Sequence, residues 1–163
     1  MNLYFCPKCR KPFTAVQLCP DDKVLTNDRA NTYVEKLLDT VLSRETSRMG
    51  MAVDVLTKWF HEQRAVLPLT MLLEREGDPY PQVIGARGLG WLGNPAAVPA
   101  LAKLLLNEDQ PYVARVAAAK ALGQIGGHEA HDVLEQARKS PRSSVAEASA
   151  RALEQFREQD NQV

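Results

Sequence analysis

The sequence has little charge imbalance and few aromatic residues. Its 163 residues include 20 basic and 20 acidic side chains, so the formal net charge is zero. This balance excludes a nucleic-acid binder that works by bulk positive charge, though not a local row of basic residues. Aromatic residues make up only 6% of the chain, whereas Ala and Leu dominate after residue 30, and this composition favours helices. The length fits one domain, or one domain with a small appendage.

Long apolar runs and local catalytic motifs are also missing. No apolar segment approaches the roughly 18–20 residues that span a bilayer, and residues 1–5 are too few for the core of a signal peptide. We therefore expect a cytoplasmic protein that does not bind membranes. The sequence has no GxSxG motif and no Walker loop, and no cysteine follows residue 19 to serve as a nucleophile. These absences predict a protein that is not an enzyme.

All three cysteines lie in the first 19 residues, which sets this segment apart from the rest of the chain. An odd number of cysteines without an export signal argues against a disulfide framework. Residues 6–9 read Cys-Pro-Lys-Cys, and residues 19–22 read Cys-Pro-Asp-Asp. The second segment therefore repeats the first, with a carboxylate in the place of a fourth thiol.

This spacing predicts a structural Zn²⁺ site. A CxxC turn aims two thiolates at one point, a second turn closes a tetrahedral site, and a carboxylate oxygen is an accepted fourth ligand. Four protein ligands leave no open position for catalysis, and in about 25 residues the metal would supply most of the folding free energy. The predicted ligands are Cys6, Cys9, Cys19 and Asp22, with Asp21 or a group from elsewhere as alternatives to Asp22. Unligated cysteines in a tail and a redox CxxC site are the other interpretations.

Residues 6–22 resemble the short zinc ribbons at the N-terminus of many bacterial multidomain proteins. The pattern of those ribbons is Cys-Pro-x-Cys, a short stretch with an aromatic residue, which is Phe13 here, and then Cys-Pro-x-Asp. Arg10 and Lys23 stand where such ribbons usually have glycine. The resemblance implies a small zinc ribbon over residues 1–29.

The rest of the chain is an internal repeat. Tetrapeptides of one type begin at Ala86, Ala119 and Ala150, which are 33 and 31 positions apart, and another helical stretch precedes each of them. A single pair of helices cannot bury its apolar face, whereas stacked pairs share a continuous core. We therefore predict an all-α solenoid over residues 30–163. Its four helix pairs are expected at about 30–62, 63–94, 95–127 and 128–158.

Residues 65–157, and more weakly residues 30–62, resemble HEAT-like repeats, in particular the short bacterial class that also occurs in phycobilisome lyase subunits. The match is closest over residues 97–126. That unit reads roughly Ala-Val-Pro-x-Leu, a helix, Asp-x-x-Val-Arg, and Ala-Ala-x-Ala-Leu-Gly-x-Ile-Gly, and this segment matches most of it. The resemblance implies an α-solenoid but says little about function. It also implies that Arg115 pairs with an acidic residue of a neighbouring turn, such as Asp109. We expect Trp59, Trp91 and Tyr112 to pack rather than bind.

One row of basic residues is the remaining functional signal. Arg87, Lys120 and Arg151 occupy the same position in three successive repeats, and a solenoid places such positions in a line about 10 Å apart. We predict that this row binds a protein partner, and a merely solvated face is the alternative.

The expected function is therefore a non-enzymatic adaptor or scaffold. Nucleic-acid binding is the alternative, and a lyase- or chaperone-like role by analogy of fold is the second. The oligomeric state stays open.

Overall fold

The computed structural model of the chain divides into two compact units, residues 1–39 and 40–163. The described residues are 4–5, 12–13, 20–21, 27–43 and 46–160. The four predicted zinc ligands lie outside these ranges, so the zinc site stays a prediction. The boundary expected after residue 29 also stays a prediction, and the division between the two units falls inside the first helix.

The described residues of the first unit include three short antiparallel strands, β1 (Tyr4–Phe5), β2 (Pro12–Phe13) and β3 (Asn27–Asp28). The strand order is β2-β1-β3, and Tyr4 lies opposite both Phe13 and Asp28. The helix α1 (Arg29–Leu42) follows directly and continues into the second unit. Val34 and Leu37 are buried and form part of the apolar side of this amphipathic helix.

The second unit is built from helix pairs joined by short turns. After α1 come α2 (Met49–Asp54), α3 (Val66–Leu73), α4 (Pro79–Leu92), α5 (Val98–Leu106), α6 (Tyr112–Ile125), α7 (His128–Ala137) and α8 (Ser143–Asp160). A π-helical turn, Val55–Trp59, extends α2. These helices fall within the four predicted pairs, and the predicted α-solenoid is confirmed.

Side-chain caps and glycines fix where the helices begin and end. The Asp78 carboxylate accepts a hydrogen bond from the Tyr80 amide at 2.9 Å, and Pro79 occupies the first helical position of α4. Gly93 ends α4 in the left-handed conformation, with φ +62°, which glycine adopts without a steric penalty. Asn94 then accepts from the Ala96 amide at 2.9 Å and starts the turn that leads into α5.

Small residues bring the second helices of successive pairs into direct contact. A Cβ atom on Gly90 of α4 would lie 3.0 Å from Ala121 Cα of α6. A Cβ atom on Gly123 of α6 would lie 2.8 Å from Ala152 Cβ of α8. The core between first and second helices is leucine-rich; its fully buried leucines include Leu69, Leu72, Leu89, Leu101, Leu105, Leu122 and Leu134.

Polar side chains connect the first pair to the second and the second to the third. The Arg75 guanidinium donates to the carbonyls of Ser43 (3.0 Å) and Leu42 (2.9 Å) at the end of α1. Gln82 is buried, and its amide donates to Gln110 Oε1 at 2.7 Å, in the turn of the next pair. Such bonds satisfy carbonyls that a helix end leaves open and fix the register of neighbouring pairs.

Arg115 connects the third pair to the fourth. It is only 5% exposed, and its Nε donates to the Leu105 carbonyl at 2.8 Å while Nη2 reaches Ser140 Oγ at 3.4 Å. The expected pairing with Asp109 is wrong. The guanidinium instead donates to the Leu105 carbonyl at the C-terminal end of α5. This carbonyl is buried and would otherwise lack a hydrogen-bond donor.

Candidate functional site

The second helices present two rows of equivalent residues, one helical turn apart. The first row consists of Asp54, Arg87, Lys120 and Arg151. The second row lies four residues later and consists of Lys58, Trp91, Gln124 and Gln155. Residues four apart lie on the same side of a helix, so the two rows form one surface. We call the surface formed by these eight residues the second-helix face.

At the N-terminal end of this face, equivalent residues of the first and second helix pairs contact each other. Arg87 Nη2 lies 2.8 Å from Asp54 Oδ1. The Lys58 ammonium lies 3.7 Å from the centroid of the Trp91 ring and 3.9 Å from Asp54 Oδ2, and the Arg87 guanidinium lies 4.9 Å from the same ring. We call these four residues the Trp91 cluster.

The Trp91 cluster uses its charges internally. One carboxylate faces two cations, and both cations lie near the electron-rich face of an indole ring, which attracts each by about 0.5–1 kcal/mol at exposed sites. The Arg87 side chain is 40% exposed, yet its Nε is buried and has no hydrogen-bond partner among the described residues. Arg87 is therefore paired within the cluster through Asp54 and the Trp91 ring.

The C-terminal end of the face is an open groove of about 500 Å³ between α6 and α8. We call it the α6–α8 groove. Its lining residues are Tyr112, Val113, Val116, Lys120 and Gln124 from α6, and Ser144, Glu147, Ala148, Arg151, Ala152 and Gln155 from α8. Two members of each row thus lie in one concave site.

The two cations of this groove are nearly unpaired. Lys120 is exposed and has no ion-pair or hydrogen-bond partner among the described residues. Arg151 Nη2 lies 3.9 Å from Glu147 Oε2, and these side chains are 79% and 65% exposed. An ion pair this long and this exposed contributes little, so both cations remain available to a ligand.

The structure therefore separates the three predicted partner-binding residues. Arg87 lies in the Trp91 cluster, while Lys120 and Arg151 lie together in the α6–α8 groove. Whether the three bind a partner stays a prediction. Sequence reasoning missed the role of Asp54, although the repeat contained the signal, since Asp54 lies 33 positions before Arg87.

The expectation that these aromatic residues pack is wrong for two of them. Trp59 is 80% exposed and Tyr112 is 49% exposed, while Trp91 is half-buried beneath its two cations. The cause at Trp59 is the π-helical turn, in which the Phe60 amide bonds the Val55 carbonyl at 3.2 Å. This wider turn rotates the residues after Val55 out of the phase that an α-helix would give them.

Titratable groups of the described residues do not converge on a metal site. No group of three or more His, Cys, Asp or Glu side chains that could hold a metal ion occurs among them. Hydrogen bonds from the Arg64 guanidinium, at 3.0 and 2.8 Å, hold the pKa of the Glu62 carboxyl below its usual value.

None of the described helices is both long enough and apolar enough to cross a membrane.

Comparison with known proteins shows which family and which solved structures this chain resembles. Residues 66–154 match the family of HEAT repeats, and no curated protein matches the sequence. Human deoxyhypusine hydroxylase in complex with glycerol is similar, with 25% identity, a TM-score of 0.66, and coverage of 77% of this chain and 43% of that chain. The complex of CpcE and CpcF of phycocyanin lyase from Nostoc sp. gives 24% identity, a TM-score of 0.52, and coverage of 77% and 65%. The chain thus spans less than two thirds of either protein.

The prediction that this chain is not an enzyme is wrong, because the fold does not exclude an enzyme. It rests on missing local motifs, but human deoxyhypusine hydroxylase is an enzyme and shares the fold of this chain. A solenoid brings together residues from separate repeats, so short motifs do not decide whether such a fold carries chemistry.

The family assignment rests on two agreeing observations. The match covers more than half of the chain, and the helix pairs stack through their second helices in the manner that a repeat array requires. This chain belongs to the HEAT-repeat family.

Proposed function

We propose that this HEAT-repeat protein binds a protein partner through the C-terminal end of the second-helix face. The observation that carries the proposal is the α6–α8 groove, where two exposed cations stand beside exposed apolar side chains on a rigid surface. HEAT repeats commonly mediate protein interactions, and one solved structure of similar fold is a complex of two different chains. Aromatic and arginine side chains are also the residues enriched at the centres of protein interfaces.

The packing of the second helices supports this assignment. Gly123 holds α6 against α8 so closely that even a methyl group would crowd Ala152. Arg115 and Ser140 tie the same two pairs together from the buried side. Helices packed in this way lose little backbone freedom on binding, which improves affinity for a complementary partner.

Photo-crosslinking in the native cell tests the proposal. A benzoylphenylalanine at Gln124, which is exposed in the groove, is expected to capture one protein partner. The same residue at Gln136, which is exposed on α7 outside the groove, is the matched control and is expected to capture none. Capture at position 136 alone, or at neither position, would contradict the proposal.

We also propose that the N-terminal cysteines hold a structural Zn²⁺. The support is the donor set of three thiolates and a carboxylate, which suits this metal, together with the place of Cys6 and Cys9 in the sequence that joins the antiparallel strands β1 and β2. The proposed ligands are Cys6, Cys9, Cys19 and Asp22. When bound, the metal would tie its segment together and leave no open position for a substrate.

Elemental mass spectrometry tests the zinc proposal directly. We expect one zinc per chain in the purified protein and loss of that zinc in Cys9→Ser. The matched control is Lys8→Ser, which changes a residue of the same Cys-Pro-Lys-Cys sequence that is not a proposed ligand, and it is expected to keep the metal. A metal-free wild-type protein that is fully folded would show that the cysteines have another role.

A further inference from the structure

We infer that the α6–α8 groove takes an acidic segment of the partner that carries a large apolar side chain. This inference rests on the proposed function and names the chemistry that the groove would recognise. It combines two features of the groove, an apolar wall and a pair of cations whose charge is not neutralised.

The apolar wall lies at the start of α6. Val113 is 38% exposed, Tyr112 is 49% exposed, and Val116 is half-buried next to them. Exposed apolar surface grouped in a concave site gains free energy when a matching side chain removes it from water. The volume of about 500 Å³ gives room for several side chains of a bound segment.

The charges of the groove differ from those at the other end of the same row. Arg87 meets the carboxylate of Asp54, its equivalent in the preceding pair, at 2.8 Å. Lys120 and Arg151 are equivalent residues too, but neither is acidic, so neither gives the other the carboxylate that Asp54 gives Arg87. The Asp54–Arg87 pair thus shows how a carboxylate fits this row. In the groove, neither member of the row supplies a carboxylate.

Further side chains leave the groove positive. Glu147 is the one acidic residue among its lining residues, and it lies 3.9 Å from Arg151 in an exposed pair. The Arg142 guanidinium adds a third cation near its rim, 5.4 Å from the centroid of the Tyr112 ring. A partner carboxylate would therefore enter a positive field and find donors at hydrogen-bond reach.

The same observations favour a protein segment over nucleic acid. A phosphate backbone would satisfy Lys120 and Arg151 but offers nothing to the valines of the apolar wall. A chain with zero net charge also lacks the bulk positive charge that favours non-specific nucleic-acid binding. An acidic segment with an apolar anchor complements both parts of the groove.

The experiment is a selection of random 14-residue peptides, displayed on phage, on the immobilised full-length protein. We expect the enriched peptides to carry an excess of Asp and Glu together with at least one large apolar residue. These peptides, made synthetically, should bind Lys120→Glu/Arg151→Glu at least tenfold more weakly than the wild type. A selection on this variant should shift the enriched peptides toward basic residues.

Two controls isolate the groove from general effects of charge. Lys103→Glu/Lys139→Glu changes the net charge equally at exposed positions outside the groove, and peptide affinity should stay within twofold. Lys120→Gln/Arg151→Gln removes the positive charge without adding a negative one, and it should weaken binding while keeping the wild-type melting temperature. This neutral variant provides the test if the charge reversal impairs folding.

Several results would overturn the inference. These are enrichment without an acidic bias, equal affinity of the acidic peptides for wild type and Lys120→Glu/Arg151→Glu, or no enrichment at all. Displacement of the peptides by a single-stranded dT oligonucleotide at physiological salt would assign the groove to nucleic acid instead. If the selection fails while crosslinking from position 124 still captures a protein, the proposed function stands and only the acidic segment is refuted.

Discussion

Three arginines show how the same residue type takes different roles at the scale of single side chains. Arg115 is buried and serves the fold, Arg87 is half-buried and belongs to the Trp91 cluster, and Arg151 is exposed in the groove. The sequence marks all three as repeat positions, and it therefore predicts their helices correctly. It does not reveal which ones are already paired, because Arg87 pairs with a side chain of the neighbouring repeat and Arg115 bonds a helix end and a turn.

Replacing Arg115 by Ala is expected to destabilise the protein strongly. The Leu105 carbonyl would lose its buried donor, and an unsatisfied buried group of this kind costs about 1–3 kcal/mol. Lost packing of the long side chain adds to this cost. Urea unfolding followed by circular dichroism measures the change in the free energy of unfolding.

Arg138→Ala is the matched control for this prediction. Arg138 lies in an exposed ion pair with Glu135 at 3.1 Å, and such pairs contribute about 0–1 kcal/mol. Equal losses of stability in the two variants would show that the hydrogen bonds of Arg115 to Leu105 and Ser140 contribute no more than an exposed ion pair.

At the scale of helices, repeat periodicity predicts the architecture well and fails at one place. The four predicted pairs contain α1 to α8, because stacking imposes one pattern of apolar, small and turn residues on every unit. The π-helical turn after α2 has no such signature. The buried Thr57 hydroxyl bonds the Val53 carbonyl at 2.7 Å there, and His61 takes a positive φ of 45°. Neither feature follows from the spacing of apolar residues, which is what single-sequence periodicity contains.

Close contact of the second helices makes Gly123→Ala an informative variant. Alanine usually stabilises a helix interior relative to glycine by about 0.5–1 kcal/mol. Here the new methyl group would lie 2.8 Å from Ala152 Cβ and 3.2 Å from its Cα, so α6 and α8 must separate. Because overpacking of this kind costs about 1–3 kcal/mol, we expect a net loss of stability in urea unfolding.

Gly50→Ala tests whether the effect is specific to the helix contact. A Cβ atom there would crowd the Tyr80 hydroxyl, the far end of a side chain that is itself 41% exposed and can move aside. We expect this variant to keep or gain stability. A Gly123→Ala protein as stable as Gly50→Ala would mean that α6 and α8 tolerate a wider spacing.

At the scale of the whole molecule, the second-helix face has two ends with different electrostatics. At the N-terminal end the cations are held by Asp54 and the Trp91 ring, and at the C-terminal end they face solvent in the groove. The sequence alone predicts a continuous row of three equivalent cations. The structure divides that row, because the first repeat contributes an acid at the shared position and the later repeats contribute bases.

This division gives opposite expectations for charge reversal at the two ends. Arg87→Glu places a second carboxylate beside Asp54 and leaves one cation, Lys58, at the Trp91 ring, so it should lower the free energy of unfolding by about 1 kcal/mol. Binding of the partner captured at Gln124 should change less than twofold.

Lys120→Glu/Arg151→Glu should weaken that binding at least tenfold, since rim and groove charges act directly on the ligand. The stability of this variant should stay near the wild-type value. Urea unfolding and affinity for the captured partner, measured side by side, check both halves. If Arg87→Glu weakens binding as much as the groove variant without loss of stability, all three cations contact the partner and the Trp91 cluster opens when it binds.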